Sequence, residues 1–137
     1  MGAILYKELS DETIGACIEV HKLMGSHLSE KIYEACVERE LKLRGYHAER
    51  QRLVKIFYKG QKLDEQYRLD MLVANKIIVE FKTVPDLDDE HVHQILSYLE
   101  VTAYEVGYLV NFSRPRLQFR RFILDAERKK YKPDLSA

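Results

Sequence analysis

A net charge is the first thing this sequence lacks: 22 Lys and Arg residues stand against 22 Asp and Glu. The overall balance therefore says nothing about an acidic partner. Cysteine is scarce. Cys17 and Cys36 both fall in predicted helices, without the spacing of a metal site, which argues against a disulfide framework or a zinc knuckle. Both are expected to be reduced core residues of a cytoplasmic protein. No stretch approaches the length of a membrane span. The opening segment MGAILYKELSDE has no long apolar run, so no signal peptide is expected. Gly2 follows Met1, but Tyr6 stands where the myristoylation pattern needs Ser or Thr. Internal repeats and low-complexity segments are missing as well.

What is present fits one soluble globular domain over 1–137, with a core at about 11–124 and a polar tail at 125–137. The chain has 137 residues, 46% apolar and 32% charged, enough for a single core. Charge is unevenly spread. Residues 113–137 carry eight Lys or Arg against three acids, whereas 85–100 hold five acids and no Lys or Arg. The basic tail reads either as a solvated surface or as a track for a phosphate backbone.

Hydrophobic periodicity divides the chain. Ser10 followed by DET predicts a capped helix ending at Gly25, with Ile14, Ile18, His21 and Met24 on one side. Ser26 can cap a second helix to about Arg44, with Leu28, Ile32, Cys36 and Val37 inward, and Gly45 ends it. The period then shortens to two. HAERQRLVKIFYKG reads as extended, KGQK as a hairpin turn, and LDEQYRLDMLVA as a second strand with Tyr67, Leu69, Met71 and Val73 on one face. ANK leads into a third strand that Pro85 stops. DLDDE offers an N-cap and acidic first turn for a helix from about Asp88 to Thr102. EVGYLVNF and QFRRFIL complete the strands, and the polar tail is expected to fray or form a short helical turn. The expected fold is α/β: a mixed central sheet of four to five strands flanked by helices, with an αβββαβ core and a parallel crossover through the last long helix.

The third strand, KIIVEFKTV, poses the functional question. Ile77, Val79, Phe81 and Thr83 point one way; Ile78, Glu80, Lys82 and Val84 point the other. Both faces are largely apolar, as in a central strand covered on both sides, yet one carries a carboxylate and an ammonium. Burying charge costs several kcal/mol unless it is paired or bound. Asp70, near the end of the preceding strand, is brought towards Glu80 by the hairpin. Two adjacent carboxylates repel, and a divalent cation such as Mg²⁺ resolves the repulsion. Lys82 would then sit beside the metal. The competing reading is a structural ion pair, since Glu-x-Lys on a strand is common.

Asp70 with Glu80-x-Lys82 resembles the PD-(D/E)XK nuclease superfamily, and Gln94 and Tyr98 in QILSY resemble the Q-x-x-x-Y motif of its exonuclease-like branch. More closely, EKIYE, YRLDMLV, IIVEFKTV and HVHQILSYL, in that order, resemble the bacterial GxxExxY proteins, over about Asp11 to Leu124. Glu30 and Tyr33 match the eponymous motif; His27 stands where its glycine would, and is expected to be a surface residue at a helix start. The resemblance implies a Mg²⁺- or Mn²⁺-dependent nuclease. Asp70, Glu80, the Phe81 carbonyl and Glu30 would hold metal, Lys82 would orient or activate water, and Gln94 and Tyr98 would hold the site lysine or contact DNA. His91 matches the family histidine; a zinc site made with His93 is not expected, because i and i+2 diverge on a helix. The partner would be nucleic acid, DNA in preference to RNA, with no membrane, and a homodimer is left open. The rival reading keeps the nuclease fold but makes the chain a nucleic-acid or protein adaptor.

Overall fold

The computed structural model describes residues 5–133. Gly2 and the last four residues of the expected polar tail lie outside them. Helices α1 (Lys7–Met24) and α2 (Glu30–Leu43) lead into strands β1 (Ala48–Tyr58), β2 (Gln61–Val73) and β3 (Ile77–Lys82); α3 (Asp89–Glu100) then crosses over to β4 (Val106–Asn111), followed by β5 (Gln118–Ile123) and a short 3₁₀ turn (Ala126–Arg128). The five strands lie in the order β1-β2-β3-β4-β5. Only β3 and β4 pair in parallel, as the α3 crossover requires; the other neighbours are antiparallel. This is the expected mixed α/β architecture. Among the described residues no helix is long and apolar enough to cross a membrane.

Two apolar clusters sandwich the sheet. One, under α1 and α2, contains Cys17, Val20, Tyr33, Val37, Leu41, Met71, Val73, Val79 and Phe81. The other, under α3, contains Leu69, Leu72, Ile78, Ile95, Leu99 and Leu109. β3 obeys its predicted alternation, sending Ile77, Val79 and Phe81 to the first cluster and Ile78 to the second. Helix α3 lies very close to the sheet because β4 carries Gly107, where a Cβ would sit 3.0 Å from the Ile95 side chain. The hairpin turn at Lys59 and Gly60 has both residues at positive φ, as a tight two-residue connection requires.

Several local expectations are corrected. α1 begins a turn earlier than Ser10, which is buried within it. Its inner face is Thr13, Ile14, Cys17 and Val20, while Ile18 and Met24 are exposed. α2 is capped at Ser29 rather than Ser26, and its inner face is Tyr33, Val37 and Leu41, with Ile32 turned outward. Cys36 is half-buried; Cys17 is fully buried, and burial pushes its thiol up to about 12. The start of the tail forms the short helical turn that was one of the two expectations, at Ala126–Arg128, and it is docked rather than frayed. Buried Lys129 donates to the Thr102 and Tyr104 carbonyls, the Lys130 and Tyr131 amides donate to Glu100 Oε2, and Tyr131 Oη accepts from the Phe57 amide at 2.9 Å.

Tyr67, Leu69, Met71 and Val73 do not share a face. Met71 and Val73 pack under α1 and α2, whereas Tyr67 and Leu69 pack against α3. β1 makes the same change, Ala48 lying in the first cluster and Val54 in the second. The change falls where the β1–β2 ladder pairs Arg50 with Met71 and Arg52 with Leu69 and skips Gln51 and Asp70 between them. Gln51 is in the left-handed region, φ 55°. A non-glycine residue held there costs about 1–3 kcal/mol.

Candidate active site

The site grows from the point where β2 leaves β3. Their ladder runs Val73–Ile77, Leu72–Ile78 and Met71–Val79, then stops. At the next position the backbone amides are satisfied by side chains. The Asp70 amide donates to Glu80 Oε2 at 2.9 Å, and the Phe81 amide donates to Asp70 Oδ2 at 2.9 Å. Each carboxylate thus replaces a ladder partner, which accounts for two acids inside an otherwise apolar sheet.

Glu80 is 2% exposed. Burial, and then the adjacent negative charge of Asp70, push its carboxyl well above the usual range; the Asp70 amide and Lys82 pull it part of the way back. Asp70 is raised too, first by burial, against the Phe81 amide and Lys82, with the Glu30 charge adding to the rise. The Asp70 charge opposes ionisation of Glu80, as expected of two neighbouring acids at one break in the ladder. A proton is the smallest cation that relieves such a pair, and an all-oxygen anionic pair is the donor chemistry that Mg²⁺ or Mn²⁺ prefers. The donors therefore fit a hard divalent ion. Among the described residues no three His, Cys, Asp or Glu side chains converge into a ready-made metal cage.

Lys82 does not form an ion pair with either carboxylate by contact. Its Nζ donates to Gln94 Oε1 at 2.7 Å, across the gap between β3 and α3. Tyr98, one turn further along α3, is buried; its phenol is pushed above the ordinary value first by burial and then by the Glu80 and Asp70 charges, with a Gln94 hydrogen bond opposing. Asp70, Glu80, Lys82, Gln94 and Tyr98 therefore form one neighbourhood. Glu30, in the first turn of α2, is near enough for its charge to act on Asp70. Phe81 contributes backbone alone, because its ring is turned to the opposite face and stacks on Phe112 at 5.7 Å.

Of the remaining motif residues, Tyr33 and His91 make hydrogen bonds that shape the backbone. Tyr33 Oη donates to the Gly25 carbonyl at 2.6 Å, accepts from the Leu28 amide at 3.2 Å, and its ring stacks on Phe112 at 4.3 Å. It thereby fixes the α1–α2 connection. His27 is exposed in that connection, ahead of the helix start, and His93 is exposed on α3. His91 closes a capping box: its amide donates to Asp88 Oδ1 at 3.2 Å, and its Nδ1 accepts from the Asp88 amide at 3.0 Å.

Two residues beside the site escaped the sequence reading. Glu34 is 1% exposed, accepts from Gln51 Nε2 at 3.0 Å and Arg50 Nε at 3.4 Å, and is raised by burial and by Asp70. Its position one helical turn after Glu30 was the available signal. Gln51 gave none. A groove of about 1450 Å³ elsewhere, lined by Leu23, Met24, Cys36, Leu43 and Tyr46 among others, includes none of the site residues.

The family model for the PD-(D/E)XK nuclease superfamily matches residues 7–122. No curated protein matches the chain. Among solved structures, the crystal structure of SSO0001 aligns with a TM-score of 0.53 and 22% identity, covering 88% of this chain and 58% of that one. That likeness concerns the fold.

Proposed function

The chain belongs to the PD-(D/E)XK nuclease superfamily, and from that premise we propose that it is a divalent-metal-dependent nuclease that hydrolyses phosphodiester bonds of nucleic acid. The observation that carries the reading is the Asp70–Glu80 pair, two neighbouring carboxyls where the sheet opens, with Lys82 beside them. Asp70, Glu80, the Phe81 carbonyl and Glu30 would hold Mg²⁺ or Mn²⁺. Such an ion, when bound, supplies Lewis acidity towards a phosphate oxygen and lowers the pKa of water. Lys82, steadied by Gln94 Oε1, orients or activates the attacking water and counters the negative charge that develops on phosphate. Tyr98 backs Gln94. The order of Glu30, Tyr33, Asp70, Glu80, Lys82, His91, Gln94 and Tyr98 supports a chain of GxxExxY type. DNA is the favoured substrate over RNA, in the cytoplasm, and the oligomeric state is left open, a homodimer on a duplex being one form.

The test is single-turnover cleavage of labelled single- and double-stranded DNA and RNA with Mn²⁺. Metal-dependent cleavage of at least one substrate is expected. Tight nucleic-acid binding with no cleavage of any of them would replace the nuclease by the adaptor.

A further inference from the structure

We propose that Gln51 is a positioning residue for the metal site: its left-handed backbone breaks the β1–β2 ladder opposite Asp70, and its side chain ties the helix that carries Glu30. The inference rests on the metal-dependent reading above and deepens it. Three observations converge on this residue. Gln51 has φ 55° in the middle of an eleven-residue strand, where neither a turn nor a glycine accounts for it. The ladder skips the pair it would form with Asp70, although Arg50–Met71 and Arg52–Leu69 on either side are in register. Its Nε2 donates to Glu34 Oε1 at 3.0 Å, and Glu34 is buried on α2, one turn from Glu30.

The consequence is geometric. Asp70 lies between two strands, and regular pairing on either side would hold its backbone in the ladder with its side chain at the pitch of an ordinary strand. On the β3 side, carboxylates have taken over the hydrogen bonds. On the β1 side, Gln51 prevents the ladder from closing. Freed on both edges, Asp70 can meet Glu80 at the point where the strand changes face between Leu69 and Met71. The Gln51–Glu34 bond, beside the Arg50 contacts to Glu34 and to the Lys31 carbonyl, ties α2 at the same point, so Gln51 adjoins both the strand that carries Asp70 and the helix that carries Glu30. Backbone strain kept beside a candidate site is a recognised form of preorganisation.

The test compares Gln51→Val, which disfavours the left-handed region and lacks the amide, with Gln51→Asn, which tolerates that region. Mn²⁺ binding is measured by calorimetry on the folded proteins, and the Asp70 amide is followed by ¹⁵N NMR without metal. Gln51→Val should weaken Mn²⁺ binding about 10–100-fold, the range for loss of a group that orients metal ligands. It should shift the Asp70 amide, and the Tm of the metal-free protein should fall only modestly, because release of the left-handed backbone offsets part of the lost bond to buried Glu34. Gln51→Asn should stay within about threefold of wild type. A residue that merely stabilises the fold would lower Tm and leave the metal affinity of the folded protein alone. If Gln51→Val does not fold, Gln51→Ala takes its place with the same expectations. Wild-type Mn²⁺ affinity and an unmoved Asp70 amide in the folded Val or Ala variant overturn the proposal. A wild-type protein that binds no Mn²⁺, with an Asp70 amide that moves in the variant, overturns the metal reading and leaves Gln51 as the residue that positions Asp70.

Discussion

Strands β2 and β3 are one hairpin with two different ends. At the closed end, Met71 to Val73 pair with Ile77 to Val79, backbone to backbone, and all six side chains are buried and apolar. At the open end, Asp70 and Glu80 face each other, and their carboxylates accept the backbone hydrogens that a ladder would otherwise take. The closed end is stabilised by burial of apolar area. The open end gives up some of that and gains a pair of carboxyls, the donor type that a hard cation prefers. The buried carboxylates are thus tolerable as fold and useful as chemistry for the same reason: each has a backbone amide to accept from and one further acid as neighbour.

The largest expected effect lies at the closed end. Ile78→Ala empties a fully buried position against α3 and should cost about 2–5 kcal/mol in urea denaturation. The folded variant should keep its metal response. If the loss were below about 1 kcal/mol, the cluster that packs Ile78 with Tyr98 under α3 would not be what holds that helix on the sheet.

Lys82→Ala, on the same face, should do the reverse. Lys82 is half-buried and hydrogen-bonded to Gln94, so stability should change little. The single-turnover cleavage rate with Mn²⁺ should fall about 10²–10³-fold, as for loss of one preorganised electrostatic contact. Metal affinity should be nearly unchanged. Equal rates in wild type and variant would remove Lys82 from the chemistry.

Metal linkage comes next. Mn²⁺ at about 100 times its Kd should raise the stability of the wild type by about 2.7 kcal/mol. Asp70→Asn should abolish that increment, and Ile78→Ala should retain it. An equal shift in wild type and Asp70→Asn would place the ion elsewhere.

The sequence makes one half of this contrast more legible than the other. The period-two alternation of KIIVEFKTV separated Phe81 from Glu80 and Lys82, and the structure follows it. The meander and the parallel crossover were also readable, from the turn signals and the length of the helix between the strands, whereas the Gln94–Lys82 neighbourhood was implied only by the family resemblance. The helix faces were less so. Ile18, Met24 and Ile32 are apolar but exposed, and small or polar residues such as Thr13 and Ala16 take the inner positions. The break at Gln51 was illegible, since glutamine is not a turn residue and nothing local calls for a left-handed backbone there. The docked tail was missed for a similar reason: Lys129 and Tyr131 find their partners on α3, the turn after it and β1, far away in sequence.

The smallest effect is the most discriminating, and it concerns Glu80→Gln without metal. The Glu80 carboxyl is raised well above its ordinary value in the folded protein, and Asp70 is raised in the same sense. A raised folded value means that the folded state holds its proton more tightly than the unfolded chain does. The stability this contributes is complete below the ordinary glutamate value of about 4.3 and is lost as pH rises through the folded value. The metal-free wild type should therefore weaken from mildly acidic towards neutral pH, by no more than about 1.4 kcal/mol per pH unit for each such group. Glutamine keeps an oxygen to accept from the Asp70 amide and adds a permanent donor for the Asp70 carboxylate, so it needs no proton. Glu80→Gln should match wild type at the acid end and exceed it by about 1 kcal/mol near neutrality, with a flatter pH profile in urea denaturation. A uniform loss of more than about 2 kcal/mol across the range would mean that Glu80 is held as the buried partner of Lys82, and the open end would then be a structural ion pair.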